Sequence, residues 1–399
     1  MPHKSTVNVN FLQAVPVLTP RHLGLLMLLM ACAVLITGQL YVTIPLIADI
    51  MVRFEVVPAS AVLTGSFFGM AYAAGFLLFG PLSDRFGRKR VILAGLSATA
   101  LATALVGVAQ SFGLLLLARA AQGIAASAFP PAALSLVAEQ LPPQHRPLGV
   151  SLMSFAFLGS APLAQFFAAS LGALPTIMLT MAPLYLLGAA GLLLAIRAES
   201  TPGQKSADDQ SSRLQPLLVD PMVLAAWAAA STVLFSFVAF HAGAQVLGAG
   251  SAVDLQTLRL IGLPPLLLTF VAAPLTRHHG PALTARIGLL LAVLGLLVAM
   301  SGSSLAMIAA SIIVSGGVAL AVPGLIATVA ASATNRNRGL ALAIYSFCLF
   351  LGASLAPPVA QSLAGFGPTL LWLLPAVLLG LAALGVTIAT RTHPASTII

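Results

Sequence analysis

Charge is what this chain most lacks. Only 7% of its 399 residues are Asp, Glu, Lys or Arg, whereas soluble domains carry about one-quarter. A chain this poor in charge cannot present a wetted surface, which excludes a soluble globular protein. Hydrophobic residues make up 59% of the chain, and its mean hydropathy is +1.04. The two observations together indicate a protein embedded in a lipid bilayer.

Cysteine is also scarce. Cys32 and Cys348 both fall inside apolar runs, where we expect buried small side chains and no disulfide framework. The first apolar run, 23–48, is too long for the core of a signal peptide and lacks a small-residue cleavage pattern. We therefore expect it to be retained as the first membrane helix.

Long apolar runs recur from one end of the chain to the other, each able to cross about 30 Å of hydrocarbon as a helix. Because backbone groups must be satisfied inside lipid, runs of this length indicate an α-helical bundle and not a β-barrel. The predicted spans are 23–48, 58–80, 91–110, 112–138, 147–171, 176–196, 221–247, 256–275, 283–301, 304–331, 339–364 and 367–390.

One long polar segment, RAESTPGQKSADDQSSRLQP, separates the sixth span from the seventh, and its composition is typical of a flexible linker. The predicted organisation is therefore a tail at 1–22, a six-helix bundle at 23–196, a linker at 197–220, a second six-helix bundle at 221–390 and a tail at 391–399.

The positive charges predict the orientation. All Lys and Arg residues except Arg53, Arg119 and Arg259 lie on one side of the predicted spans. Because cytoplasmic loops are enriched in Lys and Arg, we expect an inner-membrane protein with both termini and the linker in the cytoplasm. Topology explains the net charge of +9 better than a nucleic-acid partner does.

The two halves also repeat one another. GPLSDRFG at 80–87 aligns with APLTRHHG at 273–280, and HRPLGVSLMSF at 145–155 aligns with NRGLALAIYSF at 337–347. Matches at equivalent places in each half predict two parallel repeats with the same topology. The second copy has Arg277 where the first has Asp84.

Prolines inside the spans predict interruptions in helices 1, 4, 5, 8, 10 and 11. Carbonyl groups freed at membrane depth are tolerated where they line a cavity or are buried in protein, and simple packing kinks are the alternative. The prolines are Pro45, Pro130–Pro131, Pro162, Pro264–Pro265, Pro323 and Pro357–Pro358.

Two motifs resemble the major facilitator superfamily. GPLSDRFGRK at 80–89 is similar to its loop 2–3 signature, G-x-L-x-D-R-x-G-R-K, and RAAQG at 119–123 is similar to its R-x-x-Q-G motif. The resemblance covers nearly the whole chain. It implies an all-α membrane protein with 12 transmembrane helices, in two six-helix bundles around a cavity that opens alternately to each side. The helix 5 signature of the drug or metabolite:proton antiporter branch is matched only at Pro162.

In that family the loop 2–3 cluster latches the two bundles together. From the residues themselves, we expect Gly80 to permit close helix packing, Asp84 to lie just before helix 3 and Gly87 to allow a tight turn. Positive-inside anchoring is the alternative role for the cations. The predicted latch consists of Gly80, Asp84, Arg85, Gly87, Arg88 and Lys89.

A charge inside a span, such as Arg119, costs roughly 2.5–3.5 kcal/mol on insertion scales, so we expect it to face the interior; snorkelling to the surface is the alternative. Gln39 lies at a similar depth in helix 1 and is predicted to accept a hydrogen bond from the guanidinium. The predicted transport cavity contains Gln39, Arg119, Gln122, Gln165, His241, Gln245 and Tyr345.

The energy source is expected to be an ion gradient, because no strand–glycine-loop–lysine motif for nucleotide hydrolysis is present. All nine acidic residues lie at span ends or in loops. Proton coupling needs a titratable group in the pathway, which leaves His241 in helix 7 and Asp49 at the outer end of helix 1. An uncharged hydrogen-bonding role is an equal alternative for His241.

The sequence thus predicts a secondary active transporter that exports small molecules, coupled to protons. The alternative is a facilitator, or a proton-symporting importer, of a neutral or anionic metabolite. We expect a monomer with no cofactor and no nucleic-acid partner. No enzymatic pair occurs within the spans, and His278 and His279 lack acidic or cysteine neighbours for a metal site.

Overall fold

The computed structural model describes residues 18–196, 210–248, 254–334 and 337–392, and the chain there is almost entirely α-helical. Twelve helices of these residues are long and apolar enough to cross a membrane. They are named helices 1 to 12 and span Pro20–Gly38, Pro58–Ser83, Arg88–Gly107, Phe112–Gln140, Pro143–Leu171, Leu174–Ala195, Pro221–Leu247, Leu255–His279, Pro281–Ala299, Ser304–Ser332, Arg338–Phe366 and Pro368–Arg391.

The bundle has two ends, named the far face and the linker face. The far face carries the connections that follow the odd-numbered helices, and the linker face carries the connections that follow the even-numbered ones. A further short helix, Gln210–Val219, precedes helix 7 at the linker face. The segment predicted as a flexible linker is therefore partly helical, and 197–209 lie outside the described residues.

The fold consists of two six-helix bundles with the same internal packing. In the first, helix 1 packs on helix 5, helix 2 on helix 4, and helix 3 on helix 6. In the second, helix 7 packs on helix 11, helix 8 on helix 10, and helix 9 on helix 12. Equivalent helices thus occupy equivalent places in the two halves, as parallel repeats require.

Two glycines at equivalent positions turn the chain at the linker face. Gly87 lies between helices 2 and 3 with φ +89°, and Gly280 lies between helices 8 and 9 with φ +86°. Residues with a side chain rarely adopt this backbone conformation. The sequence repeat therefore preserves a backbone turn even where Arg277 has replaced the acidic residue.

Helices 1, 4 and 8 are interrupted, as their prolines predict. Helix 1 ends at Gly38. The chain then continues through a 3₁₀ turn, Ile44–Leu46, into the short helix Ile47–Phe54. Pro45 has no N–H, and in a regular helix its ring would clash with the carbonyl group of Tyr41. In helix 4 the break lies between Ala126 and Phe129, and in helix 8 it lies between Ile261 and Thr269.

The predicted interruptions of helices 5, 10 and 11 are wrong, because these helices run continuously through their prolines. Helix 11 shows one reason. Pro358 leaves the carbonyl oxygen of Ser354 without its helical donor, and the hydroxyl of Ser66 in helix 2 donates to that oxygen at 2.7 Å. A neighbouring helix thus supplies the missing hydrogen bond.

The same hydrogen bond joins the two bundles. Helix 2 lies along helix 11, and the ring of Phe350 is stacked on Phe76 and in edge contact with Tyr72. In the far half the bundles are closed: Val233–Ala244 of helix 7 is buried at every residue. Towards the linker face helix 7 carries exposed surface, with Leu224 41% exposed.

Candidate functional site

The guanidinium of Arg119 lies at the centre of a hydrogen-bond network in the first bundle. Its Nη2 donates to the main-chain oxygen of Gln39 at 2.6 Å, and its Nη1 donates to the side-chain oxygens of Gln39 at 3.3 Å and Gln122 at 2.6 Å. Its Nε donates to the carbonyl oxygen of Thr64 at 3.1 Å. One side chain therefore links helices 1, 2 and 4, and the expected hydrogen bond to Gln39 is present.

The break in helix 1 explains why the main-chain oxygen of Gln39 accepts one of these hydrogen bonds. Thr43 turns out of the helical path, so the carbonyl group of Gln39 lacks the donor that a continuous helix would provide. A carbonyl group at membrane depth must find another partner, and Arg119 provides it. The proline-induced break and the buried cation thus form one structural unit.

Two further features hold helix 4 in place. Gln122 Nε2 donates to the hydroxyl of Thr103 in helix 3 at 2.7 Å. Gly123 lies against helix 2 so closely that a Cβ atom there would overlap the carbonyl oxygen of Phe68. The Arg, Gln and Gly of the motif therefore act together, since each fixes a contact between helix 4 and a different part of its bundle.

Arg119 has no exposed surface, and its guanidinium lies over the ring of Phe68, 4.5 Å from the centroid. A charge in so apolar a setting is tolerated only when its donors are satisfied. The acceptors of these donors are four oxygens of the protein itself. In this conformation Arg119 consequently connects the helices by hydrogen bonds and faces no open cavity.

A cavity of about 230 Å³ borders this network on one side, between helices 1, 5 and 6. Of its 12 lining residues only Gln39 has a polar side chain. Phe167, at the lining, is 54% exposed. Gln39 therefore lies between a buried cation and an apolar space that is continuous with the outer surface of the bundle.

A second polar cluster lies in the far half of the second bundle. His241 is buried, and its Nδ1 lies 2.9 Å from the carbonyl oxygen of Phe237, which assigns the ring proton to Nδ1. Its Nε2 has no hydrogen-bond partner among the described residues. One turn further along helix 7, Gln245 accepts a hydrogen bond from Arg259 Nη2 at 2.6 Å.

Arg259 is the site residue that the sequence did not single out. It lies in the first segment of helix 8 and is only 5% exposed, although the sequence suggested nothing more than a cation near a turn. A signal was available, because an arginine on the face depleted of Lys and Arg departs from the bias that sets the orientation.

The other predicted cavity residues, Gln165 and Tyr345, form hydrogen bonds within their own bundles. Gln165 Nε2 donates to the carbonyl oxygen of Ala161 in its own helix at 3.2 Å, and the hydroxyl of Tyr345 donates to the carbonyl oxygen of Val322 in helix 10 at 3.2 Å. The structure thus joins Gln39, Arg119 and Gln122 in one hydrogen-bonded cluster, and it places His241 and Gln245 one turn apart on helix 7 in the other. The hydrogen bonds of Gln165 and Tyr345 lead to neither cluster.

Asp49, the second proton candidate, is half-buried in the short far-face helix after helix 1. Its Oδ2 accepts a hydrogen bond at 3.1 Å from the backbone N–H of Leu174, the first residue of helix 6. An anion is stabilised at a helix N-terminus. This carboxylate therefore has a structural partner, whereas His241 Nε2 has none in the described chain.

The latch segment lies at the linker face. Arg88 forms an ion pair with Glu139 at the end of helix 4, and Lys89 Nζ donates to the carbonyl oxygens of Leu193 and Ile196 at the end of helix 6. Arg85 lies over the adjacent ring of Phe86. These contacts of the cations lie within the first bundle.

Two packing expectations for the latch need correction. A Cβ atom on Gly80 would lie 3.8 Å from the Cβ of Ala343 in helix 11, an ordinary contact, so the helices do not need a glycine there in this conformation. Beyond the span that ends at Ser83, the α-helix of helix 2 continues to Phe86, so Asp84 lies in its last turn and not directly before helix 3, which begins at Arg88. The side chain of Asp84 lies outside the described residues.

Comparisons with known proteins assign the family. The sequence model of the Major Facilitator Superfamily matches residues 29–258 and 239–398. The chain belongs to this superfamily. It is therefore a multi-pass membrane protein of a transporter family and not of an enzyme family.

Curated superfamily relatives match parts of the chain. The uncharacterized MFS-type transporter YwfA of Bacillus subtilis strain 168 is 32% identical over 126 residues, 31% of each chain. Multidrug resistance protein 3 of the same organism is 40% identical over 77 residues, 19% of this chain and 15% of its own. Puromycin resistance protein pur8 of Streptomyces alboniger is 44% identical over 68 residues, 17% and 14% of the two chains. These matches cover a third or less of each relative.

A solved structure matches over nearly its whole length. A bacterial homologue of the human lysosomal transporter Spinster, in an inward-facing and occupied conformation, superposes with a TM-score of 0.70 at 18% identity. The match covers 94% of this chain and 98% of the other. It shows that the two chains share the major facilitator fold.

Proposed function

We propose that this transporter exports small molecules across the inner membrane in exchange for protons. The observation that carries the proposal is His241, a titratable side chain buried within a span, whose Nε2 has no partner in the described chain. An unperturbed imidazole titrates near neutral pH, and ionisable residues within membrane spans commonly mark proton pathways.

The surroundings of His241 link protonation to the opening of the far half. In the closed conformation the ring lies in edge contact with Phe237 and Phe240, and no described group accepts a hydrogen bond from Nε2. A proton on Nε2 would create a buried cation with an unsatisfied donor, which is unfavourable. Opening the far half would hydrate the ring and let the proton bind, so proton binding favours the open state.

Export is supported by the relatives whose names describe drug resistance, Multidrug resistance protein 3 and Puromycin resistance protein pur8. We propose the orientation with both termini in the cytoplasm, which makes the far face periplasmic. A C-terminal fusion to a fluorescent protein that matures only in the cytoplasm is expected to fluoresce, and a dark, full-length fusion would contradict the orientation.

The proposed pathway runs between the two clusters. When the bundles separate, Gln39, Gln122 and Gln165 become available to a substrate beside Arg119 in the first bundle. Tyr345, His241 and Gln245 then face the substrate from the second bundle. We propose that the latch segment, Gly80 to Lys89, stabilises the state that is closed at the linker face. Asp49 remains the second candidate for the coupled proton.

One observation favours a second candidate function, the symport of a proton with an anion. The guanidinium of Arg259 shares a hydrogen bond with Gln245, one turn from His241 on the same helix face. An anion bound to Arg259 would offset the repulsion between Arg259 and a protonated His241. In that case the anion and the proton would bind together and cross together.

Proton movement in inside-out vesicles separates these candidates. A pH-sensitive dye in an acidified lumen reports the response when puromycin, ethidium or benzoate is added outside, with protein-free vesicles as the control for passive leak. An exporter releases protons from the lumen as it takes up the compound. A symporter acidifies the lumen further, and a facilitator moves the compound with no change in lumen pH.

A further inference from the structure

The environment of Arg259 differs from that of the other buried arginine. Arg119 has four hydrogen bonds to protein oxygens, two of them at 2.6 Å. Arg259 has two acceptors among the described residues, Gln245 at 2.6 Å and Gln256 at 3.4 Å, and the second distance is long for a hydrogen bond. A guanidinium carries five N–H donors. Arg259 is therefore buried with more N–H donors than the described residues provide acceptors for.

No carboxylate of the described residues lies within 4 Å of the nitrogens of Arg259. The nearest acid in sequence is Asp254, which is exposed and caps the first turn of helix 8. Its carboxylate accepts hydrogen bonds from the backbone N–H and the hydroxyl of Thr257, and these hydrogen bonds hold the pKa of Asp254 below its usual range. Asp254 is thus ionised and already engaged by the cap.

A buried cation whose partners are neutral amides keeps its full positive charge. Burying a charge without an opposite charge is expensive, and a cation in this position is stabilised when an anion replaces the amide oxygens. Arginine suits this exchange, because its planar fork matches both oxygens of a carboxylate. The side-chain oxygen of Gln245 then occupies the place that one carboxylate oxygen of a ligand would take.

The position of Arg259 puts this group on the transport route. The first segment of helix 8 packs against helix 5 of the other bundle and against helix 10. The helical segment that carries Arg259 therefore lies where the two bundles meet in the closed far half. We expect separation of the bundles to expose its guanidinium.

We propose that Arg259, together with Gln245, binds the carboxylate of an anionic substrate and selects such substrates over neutral ones. The proposal rests on the proposed transport function but not on its direction or its coupling. The ligand class is a monocarboxylic acid, because the site offers a single cation whose two described acceptors are amide oxygens. Gln245 helps to position the guanidinium and is released when the anion binds.

Binding to the purified, full-length transporter in nanodiscs tests the proposal without any gradient. Three acid and amide pairs serve as probes: acetate and acetamide, benzoate and benzamide, hexanoate and hexanamide, all at one ionic strength set with sodium chloride. At least one carboxylate is expected to raise the melting temperature saturably and more than its amide does. Equal effects of acid and amide in all three pairs would overturn the proposal.

Variants assign the effect to Arg259. Arg259→Gln is expected to weaken carboxylate binding at least tenfold, and Arg259→Lys, which keeps the charge but not the fork, is expected to weaken it less. Arg53→Gln is the matched control, because Arg53 is an exposed arginine near the same face. If Arg259→Gln does not fold, Arg259→Lys still decides, since binding identical to that of the unaltered protein would refute a role for the fork.

A failure of the anion site can be distinguished from a failure of proton-linked export. Carboxylate binding that depends on Arg259, combined with no proton movement in vesicles, would retain the anion site and reject proton coupling. Proton-coupled transport of neutral compounds by a protein that binds no carboxylate would do the reverse.

Discussion

Gln39 contacts Arg119 through two different oxygens, its main-chain oxygen at 2.6 Å from Nη2 and its side-chain oxygen at 3.3 Å from Nη1. The first contact satisfies a carbonyl group left over where helix 1 breaks before Pro45. The second orients the amide that borders the apolar cavity. A change at either residue is therefore expected to affect both the stability of the first bundle and the pathway.

Arg119→Lys tests this dual role. An ammonium cannot donate at once to the acceptors on helices 1, 2 and 4, and each buried acceptor left without a donor costs about 1–3 kcal/mol. We expect a lower melting temperature in nanodiscs and a transport rate reduced severalfold. Arg53→Lys is the control, because the guanidinium of Arg53 donates to a single carbonyl oxygen, that of Ala109, within the described chain. Equal changes in melting temperature and transport rate for the two variants would contradict the role of Arg119 in connecting the helices.

The hydrogen bond from Ser66 to the carbonyl oxygen of Ser354 predicts a conformational shift. Ser66→Ala leaves that oxygen unsatisfied and removes a bond between the bundles, worth about 1 kcal/mol. The population with an open far half should therefore grow. Spin labels at the exposed positions Val57 and Phe366 would report it as a longer distance.

Pro358→Ala provides the internal check on this shift. The substituted alanine gains an N–H that can donate to Ser354 within helix 11, so in this background Ser66→Ala should have a smaller effect, as a double-mutant cycle would show. Ser170→Ala is the matched control, because Ser170 is exposed and donates within its own helix. Full additivity of the two substitutions would contradict the mechanism.

The two latch glycines are expected to respond differently to alanine. Gly87→Ala places a side chain at φ +89°, a strain of about 1–3 kcal/mol, and should lower both the melting temperature and the transport rate. Gly80→Ala adds only an ordinary contact with Ala343 in this conformation. A loss of transport by Gly80→Ala without a loss of stability would show that helices 2 and 11 approach more closely in another state.

Asp84→Asn is expected to insert and fold but to transport several times more slowly, because removal of the anion weakens the latch that favours one access state. The control is Asp220→Asn at the start of helix 7, where an amide oxygen can still accept the capping hydrogen bonds from Met222 and Val223. Transport by Asp84→Asn at the unaltered rate, at equal abundance in the membrane, would contradict the latch.

Much of the fold follows from the sequence, because the bilayer dictates the length and polarity of each span. Depth counted along two spans was enough to pair Arg119 with Gln39, and the prolines located the breaks in helices 1, 4 and 8. The same rule failed for helix 11, since the donor that rescues Ser354 comes from Ser66, 288 positions away.

The candidate site was harder to predict. The charge bias marks Arg259 as unusual for its face, but it does not identify its polar partners, which are Gln245 on the preceding helix and Gln256 on its own. Nor does the sequence show whether a glycine lies in close contact with a neighbouring helix. Gly123 overlaps a backbone carbonyl when a Cβ is added, whereas Gly80 does not. Both depend on how helices pack, which composition does not determine.

The most direct test of proton-linked export compares the unaltered protein with His241→Gln in inside-out vesicles that carry a pH-sensitive dye. An amide can still donate and accept hydrogen bonds but does not titrate, so the variant should exchange substrate for substrate at the normal rate. It should release no protons from an acidified lumen when an exported compound is added. Undiminished proton release by His241→Gln would contradict the account and direct attention to Asp49.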